Sequence, residues 1–430
     1  MSEGDLKSVV AMPAKCLILT VGGSDEPLVS AIKHHRPDFI YFICSRNKPG
    51  QPGSSEVVDG PEHVTQKGLC CPHCKNEIKK TEAKPNLISQ SGYAGGYQKV
   101  EVEDPDCFDE IYRKILNTMD EARGKGYDII ADFTGGTKIM TAALAMSAAL
   151  DPVCRPFLTV SLRRDLVNAG GACTHVAVNV ETARVRQSLD VFDDLVSKSL
   201  YHSGCLILEQ LLQKGLSAEL ERQIKAKHRL CRGLALWDGF QYEKAMKYLE
   251  GCGQEHHKLL EYLLKLIGKG KRSGYEPVFD LVENARRQAD NGFYDNAVSR
   301  LYRALELFAQ TRLKQLGHDS SHLERTVEKL KDPEKWRRRA NHQGVIEIGL
   351  KDSYTVLDEE DDPTGKVFVE YRDRLMNILQ VRNNSKLAHG DTPITEEGWY
   401  AFLSFMERFL AECCASIKVS QEYVTLPTSL

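Results

Sequence analysis

The segment Arg382-Asn383-Asn384-Ser385-Lys386-Leu387-Ala388-His389-Gly390 sets a guanidinium and an imidazole seven residues apart. In a helix that spacing is two turns, so both side chains project from nearly one face. Arginine can hold a phosphate bidentately and stabilise the charge that develops on it. Histidine, with a pKa near neutrality, can move protons at a ribose 2′-oxygen or a leaving 5′-oxygen. Together they are what metal-free RNA cleavage requires. The same residues also fit a helix C-cap, with His389 favouring the dipole and Gly390 in left-handed geometry. The two uses are compatible, because a histidine at a helix end is partly exposed.

A second set is a pair of glycine turns, each following an apolar strand: Gly22-Gly23-Ser24 and Thr134-Gly135-Gly136-Thr137-Lys138. Glycines let backbone amides approach a phosphate closely, hydroxyls add donors, and Lys138 adds charge. In a doubly wound sheet, ligands sit outside the carboxyl ends of the strands, where helix N-termini offer free N–H groups. Two tight strand-to-helix turns, with Thr137 as an N-cap, account for the same residues. Neither turn matches GxGxxG or GxxxxGK(S/T), which argues against a dinucleotide oxidoreductase and a P-loop nucleotidase. A ligand rich in phosphate or ribose is favoured.

Two weaker features remain. Cys70-Cys71-Pro72-His73-Cys74, with His63 upstream, contains a zinc-like knuckle at Cys71 and Cys74. A closed structural site needs four ligands, and no second pair has matching spacing, so the expectation is no metal. The run Lys335-Trp336-Arg337-Arg338-Arg339 could track a phosphate backbone with Trp336 stacked on a base, or form a solvated helical face.

The elements that must position these residues fall into two kinds. Up to about residue 188, short apolar strands (Cys16–Val21, Phe39–Cys44, Tyr127–Phe133, Phe157–Leu162, Thr174–Val180) alternate with helical stretches such as Glu26–His34 and Ile139–Leu150. This argues for a mainly parallel, Rossmann-like α/β sheet covered on both faces. Between Arg46 and Gln98 the pattern lapses into Pro, Gly, Ser and Lys, which reads as an insertion or long loop. From about residue 189 the strand signals stop and an all-α half begins. Residues 189–274 read as a helical linker region. Within it GLALWDGFQYEKAMKYL resembles a helix-turn-helix hairpin packed through Trp237, Phe240, Tyr242 and Ala245. After the basic break Gly268–Gly274, helices are expected at Phe279–Ala289, Asp295–Gln315, Val367–Leu387 and Glu396–Ile417, making a domain over 275–420. An acidic loop (Asp358–Asp362) interrupts them, and residues 421–430 form a flexible tail.

The composition bounds the rest. The chain has 430 residues, 42% hydrophobic and 27% charged, enough for two or three cores and unlike a disordered or low-complexity chain. The longest nearly apolar stretch, Ile139–Leu150, is too short to cross a bilayer. The balance of 57 basic against 60 acidic residues makes any nucleic-acid surface local. No basic-then-apolar leader opens the sequence, so its thirteen scattered cysteines read as reduced thiols in a cytoplasmic protein.

The combination VGGS, DFTGGTK, DNAVSRLYRALELFAQTRL and VRNNSKLAHG, spread over nearly the whole chain, resembles the CRISPR-associated ribonucleases of type III systems. In these a CARF domain, the CRISPR-associated Rossmann fold, precedes a C-terminal HEPN domain. The resemblance implies a homodimer that takes part in antiviral defence. Its paired CARF domains bind a cyclic oligoadenylate activator, and its paired HEPN domains form a composite endoribonuclease cleft for single-stranded RNA. Carried onto this chain, it makes Gly22, Gly23, Ser24 and Thr134 to Lys138 ligand-binding, and Arg382, Asn383 and His389 catalytic. No cofactor is required, and slow cleavage of the ring by the CARF domain is an additional possibility in the family. The competing reading is a ligand-responsive CARF binding protein or transcription regulator with a non-catalytic helical module.

Overall fold

The computed structural model describes residues 13–49, 53–61, 69–70, 77–78, 85–163, 169–253, 256–387 and 390–430. It divides into two units, Met1–Gln187 and Ser188–Leu430. Elements of the first run β1 (Lys15–Thr20), α1 (Glu26–His35), β2 (Phe39–Ser45), α2 (Ser55–Asp59), β3 (Leu69–Cys70), β4 (Glu77–Ile78), α3 (Leu87–Ser91) and β5 (Gly96–Val102). There follow α4 (Phe108–Gly124), β6 (Asp128–Asp132), α5 (Lys138–Leu150), β7 (Arg155–Arg163), β8 (Ala169–Ala177) and the start of α6 (Glu181–Ser197).

The central residues of β1 alternate between opposite faces and are all apolar: Cys16 and Ile18 on one side, Leu17 and Leu19 on the other. Such a strand must be covered twice. Helices α4 and α5 cover the first face through Ile111, Ile115, Met119, Met140 and Leu144. The opposite face is covered by α1, α2 and α3 through Leu28, Ile32, Val57, Val58 and Leu87. The six strands lie in the order β5-β2-β1-β6-β7-β8, all parallel except β8, which pairs antiparallel with β7. From β1 the chain winds outward through β2 to β5, then returns to place β6 and β7 on the other side. The winding direction therefore reverses between β1 and β6, the crevice where sheets of this kind hold ligands.

The segment 46–98, expected as insertion or loop, is built into this unit in part. It supplies α2 and α3, and Gly96 already begins β5. That strand escaped a periodicity reading because it is the sheet edge. Its polar side chains face solvent and pair with neighbours, as in Lys99–Asp59 at 2.8 Å. Inside the same segment β3 and β4 form a two-stranded antiparallel hairpin. Cys71, Cys74, His63 and His73, the zinc-like candidates, lie outside the described residues.

In the second unit every regular element among the described residues is helical. It comprises α7 (Tyr201–Leu212), α8 (Ala218–Asp238), α9 (Tyr242–Leu249), α10 (His257–Leu266), α11 (Glu276–Asp290), α12 (Tyr294–Gln315), α13 (Pro333–Arg337), α14 (Leu350–Glu359), α15 (Pro363–Asn383) and α16 (Glu396–Ser416), with short 3₁₀ turns between α12 and α13. Buried residues of α12 recur at helical spacing (Ala297, Val298, Leu301, Ala304, Leu305, Phe308), and α11, α14, α15 and α16 pack around them. In the α8–α9 hairpin Trp237 is fully buried and donates to Asp280 Oδ1 at 2.8 Å. Phe240, expected as a packing residue, instead sits exposed in the turn with φ of 58°. The acidic stretch is structured: α14 runs through it to Glu359, and Asp362 caps α15. Nor are residues 421–430 loose. Leu426 is buried, and the Tyr201 and Tyr262 hydroxyls donate to Pro427 O and Glu422 O. The Lys265–Glu422 ion pair and the packing of Tyr423 on Phe279 add to the hold on a segment that carries no periodicity of its own.

Candidate functional site

The two glycine turns meet at the crevice between β1 and β6. A Cβ added to Gly22 would lie 2.8 Å from Gly136 N, so the turns touch through their backbones and leave no room for a side chain. At Gly135 a Cβ would meet Thr20 O at 2.4 Å, and Gly136 has φ of 92°, open to glycine at little cost. The Thr20 hydroxyl donates to Gly135 O, as does Thr141 Oγ1 at 2.9 Å. Gly23 and Ser24 are exposed, with open space beside Gly23.

The two threonines of the second turn hold the turn itself. Thr134 donates its N–H and hydroxyl to Asp132 Oδ1, and its oxygen accepts from Thr159 N at 2.6 Å. Thr137 caps α5, accepting from Met140 N at 3.2 Å while donating to Pro105 O at 2.8 Å. What the rim offers a ligand is thus its glycine amides, the first-turn N–H groups of α5, Ser24 and the exposed Lys138 ammonium. Sequence reasoning missed Asp132, which organises this turn while fully buried. Burial pushes its carboxyl up, but the nearby His35 imidazole and the bonds from Thr134 and Thr159 outweigh that and hold it below the ordinary carboxylate range. Its only sequence signal was a charge ending an apolar strand.

The other candidate centre lies at the end of α15. The expected helix to Leu387 stops at Asn383. Instead the chain turns back on the helix end: Ser385 N donates to Arg382 O at 3.0 Å, Gly390 N to Ser385 O at 3.1 Å and Thr392 N to Asn384 O at 3.3 Å. A Cβ on Gly390 would lie 2.0 Å from Asn384 O, so this glycine is demanded by close packing. Ser385 is buried, Ile394 N donates to Asp295 Oδ2 at 3.0 Å, and Thr395 begins α16 as its N-cap. Helical periodicity could not foresee this, because the loop is held by backbone bonds and a distant carboxylate.

Arg382 occupies the last turn of α15, half-buried, with its guanidinium carbon 4.4 Å from the centroid of the Tyr302 ring on α12. One terminal nitrogen donates to Asn383 Oδ1 at 3.2 Å, while the buried Nε has no partner among the described residues. A cavity of about 270 Å³ adjoins it, lined by Tyr302, Lys351, Gln380 and Asn383 among others. A guanidinium lying over an aromatic ring beside this cavity, with its Nε unpaired among the described residues, carries the charge and N–H groups that suit an anionic oxygen. His389 itself lies outside the described residues. The basic run is a different matter. Trp336 is fully buried and donates to Glu359 Oε2 at 2.8 Å, so it cannot stack on a base. Lys335, Arg337 and Arg339 pair with Glu359, with Glu328 and Glu334, and with Asp352.

Among the described residues no helix is long and apolar enough to cross a membrane. No curated protein matches the chain. Residues 268–412 match a family model described as the Csm6 HEPN domain. Among solved structures, the chain is similar to Enterococcus italicus Csm6 bound to cyclic hexa-2′-fluoro-hexa-dAMP, at 11% identity and a TM-score of 0.56, over 95% of this chain and 96% of that one. The chain thus joins an α/β sheet unit to a helical half whose residues 268–412 match the Csm6 HEPN family model, and its fold is similar to that of the Enterococcus protein.

Proposed function

We propose that the protein is a CRISPR ancillary endoribonuclease that cleaves single-stranded RNA without a metal and is switched on by a cyclic oligoadenylate at the glycine rim. The observation that carries it is Arg382, stacked on Tyr302 with an unsatisfied N–H, at the head of a closed loop inside the segment that matches the Csm6 HEPN domain. His389 stands next to Gly390 in the sequence, and Gly390 packs against Asn384 at the end of α15.

In the proposed reaction His389 takes the proton of a ribose 2′-hydroxyl as that oxygen attacks the neighbouring phosphorus. The bond to the 5′-oxygen breaks to leave a 2′,3′-cyclic phosphate, and the leaving oxygen takes a proton from water as protonated His389 returns its own to the solvent. Arg382 neutralises the charge building on the non-bridging oxygens, worth roughly 3–4 kcal/mol for one well-aimed donor. Asn383 orients the guanidinium through its side-chain oxygen. Val381 and Leu387, which flank this centre, are half-exposed apolar residues. They favour pairing of two copies, each contributing one Arg382 and one His389 to a composite cleft.

At the rim, glycine amides, the N-terminus of α5 and Lys138 suit a phosphate-linked ring. The relative bound to such a ring supports this reading. Activation then requires the ring to bind one arrangement of the paired HEPN domains better than another. We do not extend the proposal to cleavage of the ring, because both threonine hydroxyls of the rim are already bonded within the protein. The regulator reading needs a winged helix, and the helical half has no β-wing among its described elements.

The test is cleavage of a single-stranded RNA in EDTA, with and without cyclic tri-, tetra- or hexa-adenylate. Stimulation by one ring, and its loss by roughly 100-fold or more in His389→Ala, are expected. Full activity in that variant would overturn the assigned mechanism.

A further inference from the structure

Beneath the rim, three residues from three elements converge: His35 ends α1, Asp132 ends β6 and His175 lies in β8. One nitrogen of each imidazole and one oxygen of the carboxylate lie within 4.8 Å of one another. Asp132 is fully buried and His35 is 6% exposed, so these polar atoms are nearly cut off from water. Yet they are not bonded to each other. His35 Nε2 stands 3.7 Å from Asp132 Oδ2, beyond a hydrogen bond, and has no partner among the described residues. Leaving such a buried nitrogen unpaired is costly. The separation instead resembles the roughly 3.4 Å edge of a tetrahedron with bonds of about 2.1 Å around one cation.

We propose that His35, Asp132 and His175 form a divalent transition-metal site of the zinc class, with an open fourth position. Two imidazoles and one carboxylate are borderline donors, suited to Zn²⁺ or Co²⁺ and not to the all-oxygen preference of Mg²⁺ or Ca²⁺. The surrounding shell fits as well. Thr159 Oγ1 contacts His175 Nδ1 at 2.8 Å and donates to Asp132 Oδ2 at 2.7 Å, while Ser30 Oγ lies 3.1 Å from His175 Nε2. Whichever nitrogen of His175 faces the ion, the other keeps a hydroxyl partner, as metal-bound histidines do. His34 stacks on the His175 ring, with centroids 4.1 Å apart, and Phe157 packs edge-on against His35 at 4.6 Å, which fixes both rings. His175 is only half-buried, leaving an approach path for the ion.

Placement gives the site a consequence. Asp132 holds Thr134 through Oδ1 and would hold the metal through Oδ2, so the ion braces the second glycine turn from below.

The experiment uses the full chain carrying Cys71→Ser and Cys74→Ser, stripped with chelator and titrated with Co²⁺ alone. One equivalent should bind with visible d–d bands and no thiolate-to-cobalt charge-transfer band, and Zn²⁺ should displace it. His35→Gln and, at the more exposed position, His175→Gln should each weaken binding by at least tenfold, with far-ultraviolet circular dichroism unchanged in His175→Gln. Failure of the stripped chain to bind Co²⁺, equal affinity in a folded His175→Gln, or a spectrum dominated by thiolate would each overturn the proposal. The readout is metal binding, so its failure would leave the nuclease reading standing, and the reverse.

Discussion

In the proposed function the glycine rim and the end of α15 would both hold phosphate, and they are built by opposite means. At the rim the structure works by removal. Gly22 and Gly136 let two backbone turns touch, and the threonine hydroxyls are spent holding the turn in shape. At the end of α15 it works by display. Arg382 is a long side chain laid on Tyr302, and the loop behind it is tied by Ser385, Gly390 and Asp295. A site made of amides suits binding, because its donors cannot move or change charge. A site made of guanidinium and imidazole suits turnover, because one group carries charge and the other can exchange a proton.

Substitutions can pull these two strategies apart. Arg382→Ala should have the largest effect, lowering RNA cleavage roughly 100- to 1,000-fold while cyclic oligoadenylate binding, followed by calorimetry, is retained. Arg382→Lys should recover little, since an ammonium can neither stack flat on Tyr302 nor bind bidentately. Equal loss of ligand binding would show that the two regions are not separable.

Next in size is Asp362→Ala at the far end of α15. Asp362 Oδ1 accepts from Thr364 N at 3.0 Å, and Oδ2 accepts from Arg312 Nε at 2.8 Å, so the change removes a cap and strands a partly buried guanidinium. A stability loss of about 3 kcal/mol is expected by urea unfolding. Burial pushes the Asp362 carboxyl up, but Arg312 and Thr364 outweigh it and hold it below the usual range. A depressed carboxylate stabilises above its unfolded pKa of about 4 and loses that contribution as pH falls through the folded value. The gap between wild type and Asp362→Ala should therefore narrow on acidification below about pH 4.

Gly135→Ala probes the rim in the same terms. The new methyl meets Thr20 O and Leu28, and overpacking of this kind costs about 1–3 kcal/mol. Ligand-stimulated cleavage should fall with it, and a thermal shift by the cyclic ligand should be lost. An unaltered shift would mean the ligand does not use these amides. The smallest effect is expected from Lys335→Gln, Arg337→Gln and Arg339→Gln, whose exposed ion pairs contribute little to stability, with RNA cleavage unchanged. A large drop in RNA affinity would reopen that run as a nucleic-acid surface.

How much of this was legible beforehand follows from the range of the forces involved. Apolar runs such as CLILTV and FIYFIC, covered on both faces, announce buried parallel strands, because period and composition are local properties. The leucine and alanine spacing of α12 announces a core helix for the same reason. So did the glycine turns and the arginine, since a residue type and its spacing can be read from a string of letters. The edge strand β5, the packed tail and the end of α15 could not be read this way. Each is decided by a partner far along the chain: β2 for β5, Tyr201 and Tyr262 for the tail, Asp295 for the loop. The same holds for His35, Asp132 and His175, which are strangers in sequence and share one pocket only because α1, β6 and β8 are folded against one another. Local patterning sets which elements form, and long-range hydrogen bonding and burial choose where they stop and which side chains meet.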